Sequence, residues 1–260
     1  CLKNMSKNTS CVFIDNKKKQ TLWIVGDSHA SSLELAGKKV ANSLKKNLKL
    51  YSTSGTAFPP VTKYRKAVKN RHLQSLEDFR LLEKELYKQI KFGDVILLSM
   101  RMPYHFGGTY YEFPPSDFRF INKDGSFGSQ ENYFDEWIAS VVNLANITQK
   151  RGAKIIIQTP TPEWEKVNRK LCSDTNLQWF NVLQQKNCEI NSTFFIDAET
   201  CLYSHLFEEL NELSSSHENI YLFDTYKIVC PERTCRFDMD GIDIYLDGDH
   251  LSPLWARDVL

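Results

Sequence analysis

The chain has 260 residues, 42% of them hydrophobic and 25% charged, with a formal net charge of +1. That length and composition fit one large globular domain with a substantial core. Near-neutrality excludes a strong electrostatic pull toward nucleic acid or an anionic membrane. No stretch approaches the roughly 20 apolar residues of a membrane span. No apolar leader follows Cys1-Leu2-Lys3, so the chain reads as an excised domain.

Residues 1–19 are polar and read as an irregular N-terminal segment. TLWIVG, 21–26, predicts a buried strand. A helix is expected over 29–46, with Leu33, Ala36, Val40, Ala41 and Leu44 at helical spacing. A second strand follows at 48–53, then the turn-rich SGTAFPPV. Leu76, Phe79, Leu82, Leu86 and Ile90 mark a helix over 74–91, and GDVILLSM, 93–100, a third strand. Residues 101–132 form a long aromatic insertion loop, too long to be a structureless connector in a compact domain. A helix over 133–150 and a strand over 153–159 come next. Residues 160–200 are irregular, a helix covers 198–216, and a fifth strand covers 219–224. A cysteine loop, DGDHLS and a helix from Pro253 close the chain.

Strands alternate with helices, and the strands are continuous apolar runs rather than alternating ones. This predicts a single α/β domain over 1–260, a three-layer α/β/α sandwich of about five parallel strands covered by helices on both faces. Cys230 and Cys235 bracket the proline-containing PERT and suit a small disulfide. Cys1 with Cys11, and two of Cys172, Cys188 and Cys201, are placed to pair similarly. An odd count of seven leaves one over. Disulfides persist mainly in oxidising compartments, which favours an extracytoplasmic location over seven ordinary cytosolic thiols. No Cys-x-x-Cys pair points to zinc, and the sequence implies neither a metal nor a cofactor.

Ligands of a parallel sheet bind at the carboxyl ends of its strands. Ser28 stands at the end of the first strand, where the strand becomes a helix. A serine hydroxyl is a poor nucleophile until a base takes its proton. LDGDHLS supplies such a base in His250 and a supporting carboxylate in Asp247, three residues earlier and on the same side of one turn. Asp249, adjacent to His250, is expected to point elsewhere and be solvated. Gly55 follows the second strand, and Arg101 and Tyr104 the third. Asp27 reads as a helix cap.

GDSH near the start and DGDHLS near the end resemble the SGNH/GDSL hydrolase superfamily. The resemblance is closest to the extracytoplasmic SGNH domain fused to acyltransferase-3 membrane proteins, which O-acetylate bacterial surface polysaccharides. LWIVGDSHASSL, STSGTAFPPV, DVILLSMR, VCPERTC and YLDGDHLSPLWA carry it in the family's order. The resemblance implies a flavodoxin-like fold, a Ser28–His250–Asp247 triad, and an oxyanion hole from the N–H groups of Ser28 and Gly55. The superfamily's Gly-x-Asn, whose asparagine completes that hole, is missing. SMRMPYHF stands in its place, with Arg101 as a substitute donor.

Within the insertion loop, Tyr104, His105 and Tyr110 are the candidate substrate contacts, aromatic rings being suited to stacking on sugar faces. The resemblance further implies an acetylated donor, a polysaccharide acceptor, a membrane acyltransferase-3 partner domain and a site outside the cytoplasm, tethered to the inner membrane. The expected activity is transfer of an acetyl group to a sugar hydroxyl through a seryl acetyl-enzyme. A carbohydrate O-acetyl esterase and a non-catalytic glycan-binding module are the alternatives.

Overall fold

The computed structural model describes residues 1–106, 115–122, 124–163, 189–191, 204–239 and 242–260. Tyr110, Cys172, Cys188, Cys201 and most of the irregular 160–200 stretch lie outside the described residues.

The central sheet has six strands: β1 (Thr9–Ile14), β2 (Thr21–Gly26), β3 (Asn47–Thr53), β4 (Val95–Ser99), β5 (Lys154–Gln158) and β6 (Ile220–Phe223). Their order is β1-β3-β2-β4-β5-β6. The five strands β3-β2-β4-β5-β6 are parallel, as the apolar runs predict. β1 adds an antiparallel edge, pairing from Thr9↔Thr53 to Ile14↔Leu48. The N-terminal segment is therefore partly a strand rather than irregular. Its sequence, TSCVFI, is half exposed as an edge strand is, and it hides among polar neighbours. A disulfide joins Cys1 to Cys11 within β1, and another joins Cys230 to Cys235.

The helices are α1 (Ser28–Ser32), α2 (Glu34–Ser43), α3 (Lys69–Gln89), α4 (Met102–Phe106), α5 (Gln130–Lys150), α6 (Ser204–Ser216), α7 (Thr225–Val229) and α8 (Pro253–Val259). Side chains alternate across a strand, and β2 shows the consequence. Trp23 and Val25 join a core built from Phe79, Leu82 and Leu86 of α3, Trp137, Val141 and Leu144 of α5, and Leu210 of α6. Leu22 and Ile24 face the other way, into Ala30 and Ala41 of α1 and α2. Beyond α2, Leu33 and Ala36 pack with Tyr226, Phe237, Tyr245, Leu251 and Trp255. Helices thus cover both faces, giving three layers.

Further expectations shift at helix boundaries. The helix expected over 29–46 breaks at Leu33, whose N–H bonds three residues back to Ala30, tightening the turn. α5 starts at Gln130 because Ser129 and Asn132 form a capping box there, Ser129 accepting the Asn132 N–H. The insertion loop is locally folded: α4 opens it, and strands 118–121 and 127–128 join Lys63–Arg65 in a small antiparallel sheet.

Candidate active site

With β1 set aside, the strand order 3-2-4-5-6 reverses direction between β2 and β4, and ligands of open α/β sheets bind at such a switch point. Gly26 ends β2 level with Ser52 of β3 and Ser99 of β4. A Cβ on Gly26 would stand 1.6 Å from the Ser99 carbonyl oxygen, so no other residue fits. Asp27 turns the chain, its Oδ1 accepting the His29 N–H at 2.9 Å as the cap of α1. Its Oδ2 accepts the Arg101 N–H at 2.9 Å and bonds His105 Nε2 at 2.9 Å. Burial alone would raise this carboxyl. The His105 hydrogen bond, the His29 and His105 charges and the Arg101 N–H hold it well below the usual carboxylate range.

Ser28 follows, half-buried. Its Oγ lies 2.7 Å from His250 Nε2. On the other side of the ring, Nδ1 lies 2.9 Å from Asp247 Oδ2 and 3.1 Å from Oδ1. Asp247 Oδ1 also accepts the backbone N–H groups of His250 at 2.8 Å and Asp249 at 3.0 Å. The carboxylate thus builds the turn that holds its own histidine. Since Asp247 accepts only, the proton sits on Nδ1 and the Nε2 lone pair faces the Ser28 hydroxyl. Burial works against the charged imidazolium, but the Asp247 hydrogen bond and the charges of Asp249, Asp247 and Asp27 raise the His250 pKa above its usual value. The same hydrogen bond and the two backbone N–H groups outweigh burial at Asp247 and depress its pKa.

Asp249 is not the solvated carboxylate expected from the sequence. Its side chain is 13% exposed, and Oδ2 accepts from Arg101 Nη1 at 2.9 Å and His29 Nε2 at 3.2 Å. The same oxygen lies 3.5 Å from His250 Nδ1. The reason is tertiary: Arg101, after β4, brings a cation to the loop from the far side. Its fork is closed by Glu163 after β5, through Nε–Oε1 at 2.9 Å and Nη2–Oε2 at 2.8 Å. This corrects the reading of Arg101 as an oxyanion donor, because its guanidinium is held between two carboxylates.

Gly55 follows β3 with φ +71°, a left-handed conformation that favours glycine. His72 Nε2 and Tyr104 Oη lie 2.8 and 3.3 Å from the point its Cβ would occupy. Tyr104 is half-buried, packed edge-on against Phe118, with its hydroxyl toward Gly55. His105 is corrected: it is 0% exposed and bonds Asp27, so it positions the turn rather than touching substrate. Burial, chiefly, pushes its pKa down to about 4. Lys63 lies buried beneath the rings of Tyr104 and Phe118, its Nζ donating to the Tyr104 and His105 carbonyls.

Sequence reading missed Lys63, His72 and Glu163. Glu163 alone carried a signal, an acidic residue just past the end of a strand. Among the described residues, His29, Asp249 and His250 offer ligand atoms within 4.8 Å of one another. Those side chains already serve Arg101, Ser28 and Asp247, and a cation there would compete with the guanidinium. Among the described residues no helix is long and apolar enough to cross a membrane.

The fold resembles solved structures. The periplasmic domain of a lipopolysaccharide acetyltransferase from Salmonella ser. Paratyphi A superposes with a TM-score of 0.55 at 14% identity, over 91% of this chain and 79% of that one. A chain from Slackia heliotrinireducens, described as a putative SGNH hydrolase, gives a TM-score of 0.45 at 13% identity, over 92% of each chain. No curated protein sequence matches. A family model described as "SGNH domain (fused to AT3 domains)" matches residues 1–259. With a match over nearly its whole length, the chain belongs to the family of SGNH domains fused to AT3 domains.

Proposed function

We propose that this domain is a serine O-acyltransferase that moves an acetyl group onto a sugar hydroxyl of a cell-surface polysaccharide. The observation that carries the reading is His250, which bridges Ser28 Oγ and Asp247 through its two nitrogens. His250 Nε2 takes the Ser28 proton as Oγ attacks the acetyl carbonyl. The tetrahedral intermediate collapses, the C–O bond to the donor breaks, and Nε2 returns the proton to the leaving oxygen. A sugar hydroxyl then attacks the seryl ester by the same route, its proton passing to Nε2 and on to Ser28 Oγ. Asp247 holds the ring and stabilises its charged form throughout.

The acetyl donor is delivered by a membrane acyltransferase-3 domain, the fusion partner of this family. The likeness to the periplasmic domain of a lipopolysaccharide acetyltransferase supports the same class of acceptor. The two disulfides support an oxidising, extracytoplasmic compartment, with the domain tethered to the inner membrane through its partner. Mixing the protein with an aryl acetate and measuring intact mass tests the reading. One acetyl group should appear on Ser28, and adding an acceptor oligosaccharide should clear it faster than water does. An unmodified Ser28 beside a turning-over substrate would sink it.

Hydrolysis is the second reading, with water in place of the sugar. It is favoured by the exposure of the His250–Asp247 pair, since Asp247 is 50% and His250 23% exposed and transfer gains from excluding water. Release of acetate without acetylated acceptor identifies it.

A further inference from the structure

Acyl transfer through Ser28 puts negative charge on the carbonyl oxygen in the tetrahedral intermediate. Preorganised donors aimed at that oxygen supply much of the rate enhancement in such catalysis. The sequence lacks the asparagine that would complete the set, and Arg101 is closed between Glu163 and Asp249. A different side chain stands beside Gly55. His72, the fourth residue of α3, is buried with its ring under Gly55. Its Nδ1 accepts the Arg65 backbone N–H at 3.2 Å. An acceptor Nδ1 requires the ring proton to sit on Nε2. Nε2 is the ring atom nearest the glycine, 2.8 Å from where a Gly55 Cβ would stand.

We infer that His72 Nε2–H is the third oxyanion donor of this site, acting beside the backbone N–H groups of Ser28 and Gly55. The inference rests on the seryl mechanism above and deepens it. The ring is neutral at ordinary pH: burial first, then repulsion from the charged forms of His105, Arg65, Lys63 and Arg71, pushes its pKa down to about 4. A neutral imidazole N–H polarises a carbonyl without being a proton source itself. Burial and the Arg65 hydrogen bond hold the donor in place before substrate arrives, which is what makes such a group effective. The close approach also explains the glycine: at φ +71° any side chain is strained, and this one would strike the imidazole.

Two measurements on the purified chain test this. In the first, Ser28 is labelled with a fluorophosphonate, whose adduct mimics the tetrahedral intermediate, while the histidine nitrogens are followed by 15N NMR. The His72 Nε2–H resonance is expected to move downfield on adduct formation. In the second, His72→Leu is compared with His72→Gln on 4-nitrophenyl acetate. His72→Leu should lower kcat about 100-fold with KM little changed. His72→Gln, which keeps an N–H at similar reach, should recover part of the loss. A labelled wild type with an unmoved resonance overturns the assignment, even if His72→Leu fails to fold. So does His72→Leu turning over at the wild-type rate. If wild-type Ser28 takes neither phosphonate nor acetate, the seryl mechanism itself has failed and takes His72 with it.

Discussion

His250 reaches Ser28 with the nitrogen that it does not share with Asp247: Nε2 stands 2.7 Å from Ser28 Oγ while Nδ1 faces Asp247 Oδ2 at 2.9 Å. Ser28→Ala is expected to lower kcat on aryl acetates by roughly 10⁶-fold, the scale of losing a nucleophile that acts as part of a unit. Tm should stay unchanged, since the half-buried hydroxyl packs against little. Activity above a few per cent in the variant removes Ser28 from the mechanism.

Asp247 and Asp249 separate by what they hold. Asp247→Asn keeps the turn but loses the acceptor that fixes the tautomer, and kcat should fall about 10⁴-fold. Asp249→Asn leaves Arg101 and His29 facing a neutral amide in a largely buried place. Its main cost should be stability, about 1–3 kcal/mol for lost hydrogen bonds to charged groups, read from urea denaturation. Its loss of kcat should be the smaller. Larger kinetic damage at Asp249 would reverse the two roles.

The pH profile follows from His250. Only its neutral form accepts the Ser28 proton, and the Asp247 hydrogen bond with neighbouring carboxylates raises its pKa above 6.5. The acid limb of kcat/KM should therefore have its midpoint above 6.5, with activity lost as pH falls through it. Asp247→Asn should move that midpoint down. The linkage to stability has the opposite sense. A raised folded-state pKa stabilises the fold below the unfolded value, and the contribution is lost as pH rises through the folded one. The active form is thus the one in which that contribution has gone. An acid midpoint at or below 6.5 would contradict this.

The Cys230–Cys235 bridge should matter more to the site than to the fold. It closes a short loop, so its entropic contribution stays below the ~3 kcal/mol of a 15-residue loop. Both cysteines pack with Phe237, Tyr245, Leu251 and Trp255, the layer that flanks Asp247 and His250. Replacing both by serine should lower Tm by a few degrees and kcat by a larger proportion. Unchanged kcat with a collapsed Tm would reverse that ranking.

Local features of the site are legible in the sequence, and tertiary ones are not. The run TLWIVG marks β2, and its break at Gly26-Asp27-Ser28 marks the turn, because after Thr21 the buried strand carries no polar side chain until it ends. Asp247 and His250 can be paired because three residues span one turn. Arg101 is misleading in isolation because its partner Glu163 is 62 residues away and Asp249 comes from another loop. His105 misleads because nothing local distinguishes a ring bonded to a buried carboxylate from one facing solvent. α3 begins at Lys69, five residues before the expected 74, since its first turn carries no apolar periodicity. His72 lies in that turn, so the same blind spot hides it.

Asp27 takes hydrogen bonds from its own helix, from the Arg101 amide and from the His105 ring. Ser28, the proposed nucleophile, therefore follows a turn held from three sides. The turn after β2 and the segment 101–106 are bolted together at one carboxylate, and Lys63 fastens the far end of that segment by its carbonyls. In the mechanism proposed, such a frame leaves the motion to protons and to the arriving chains, while Ser28 keeps its angle to the sheet.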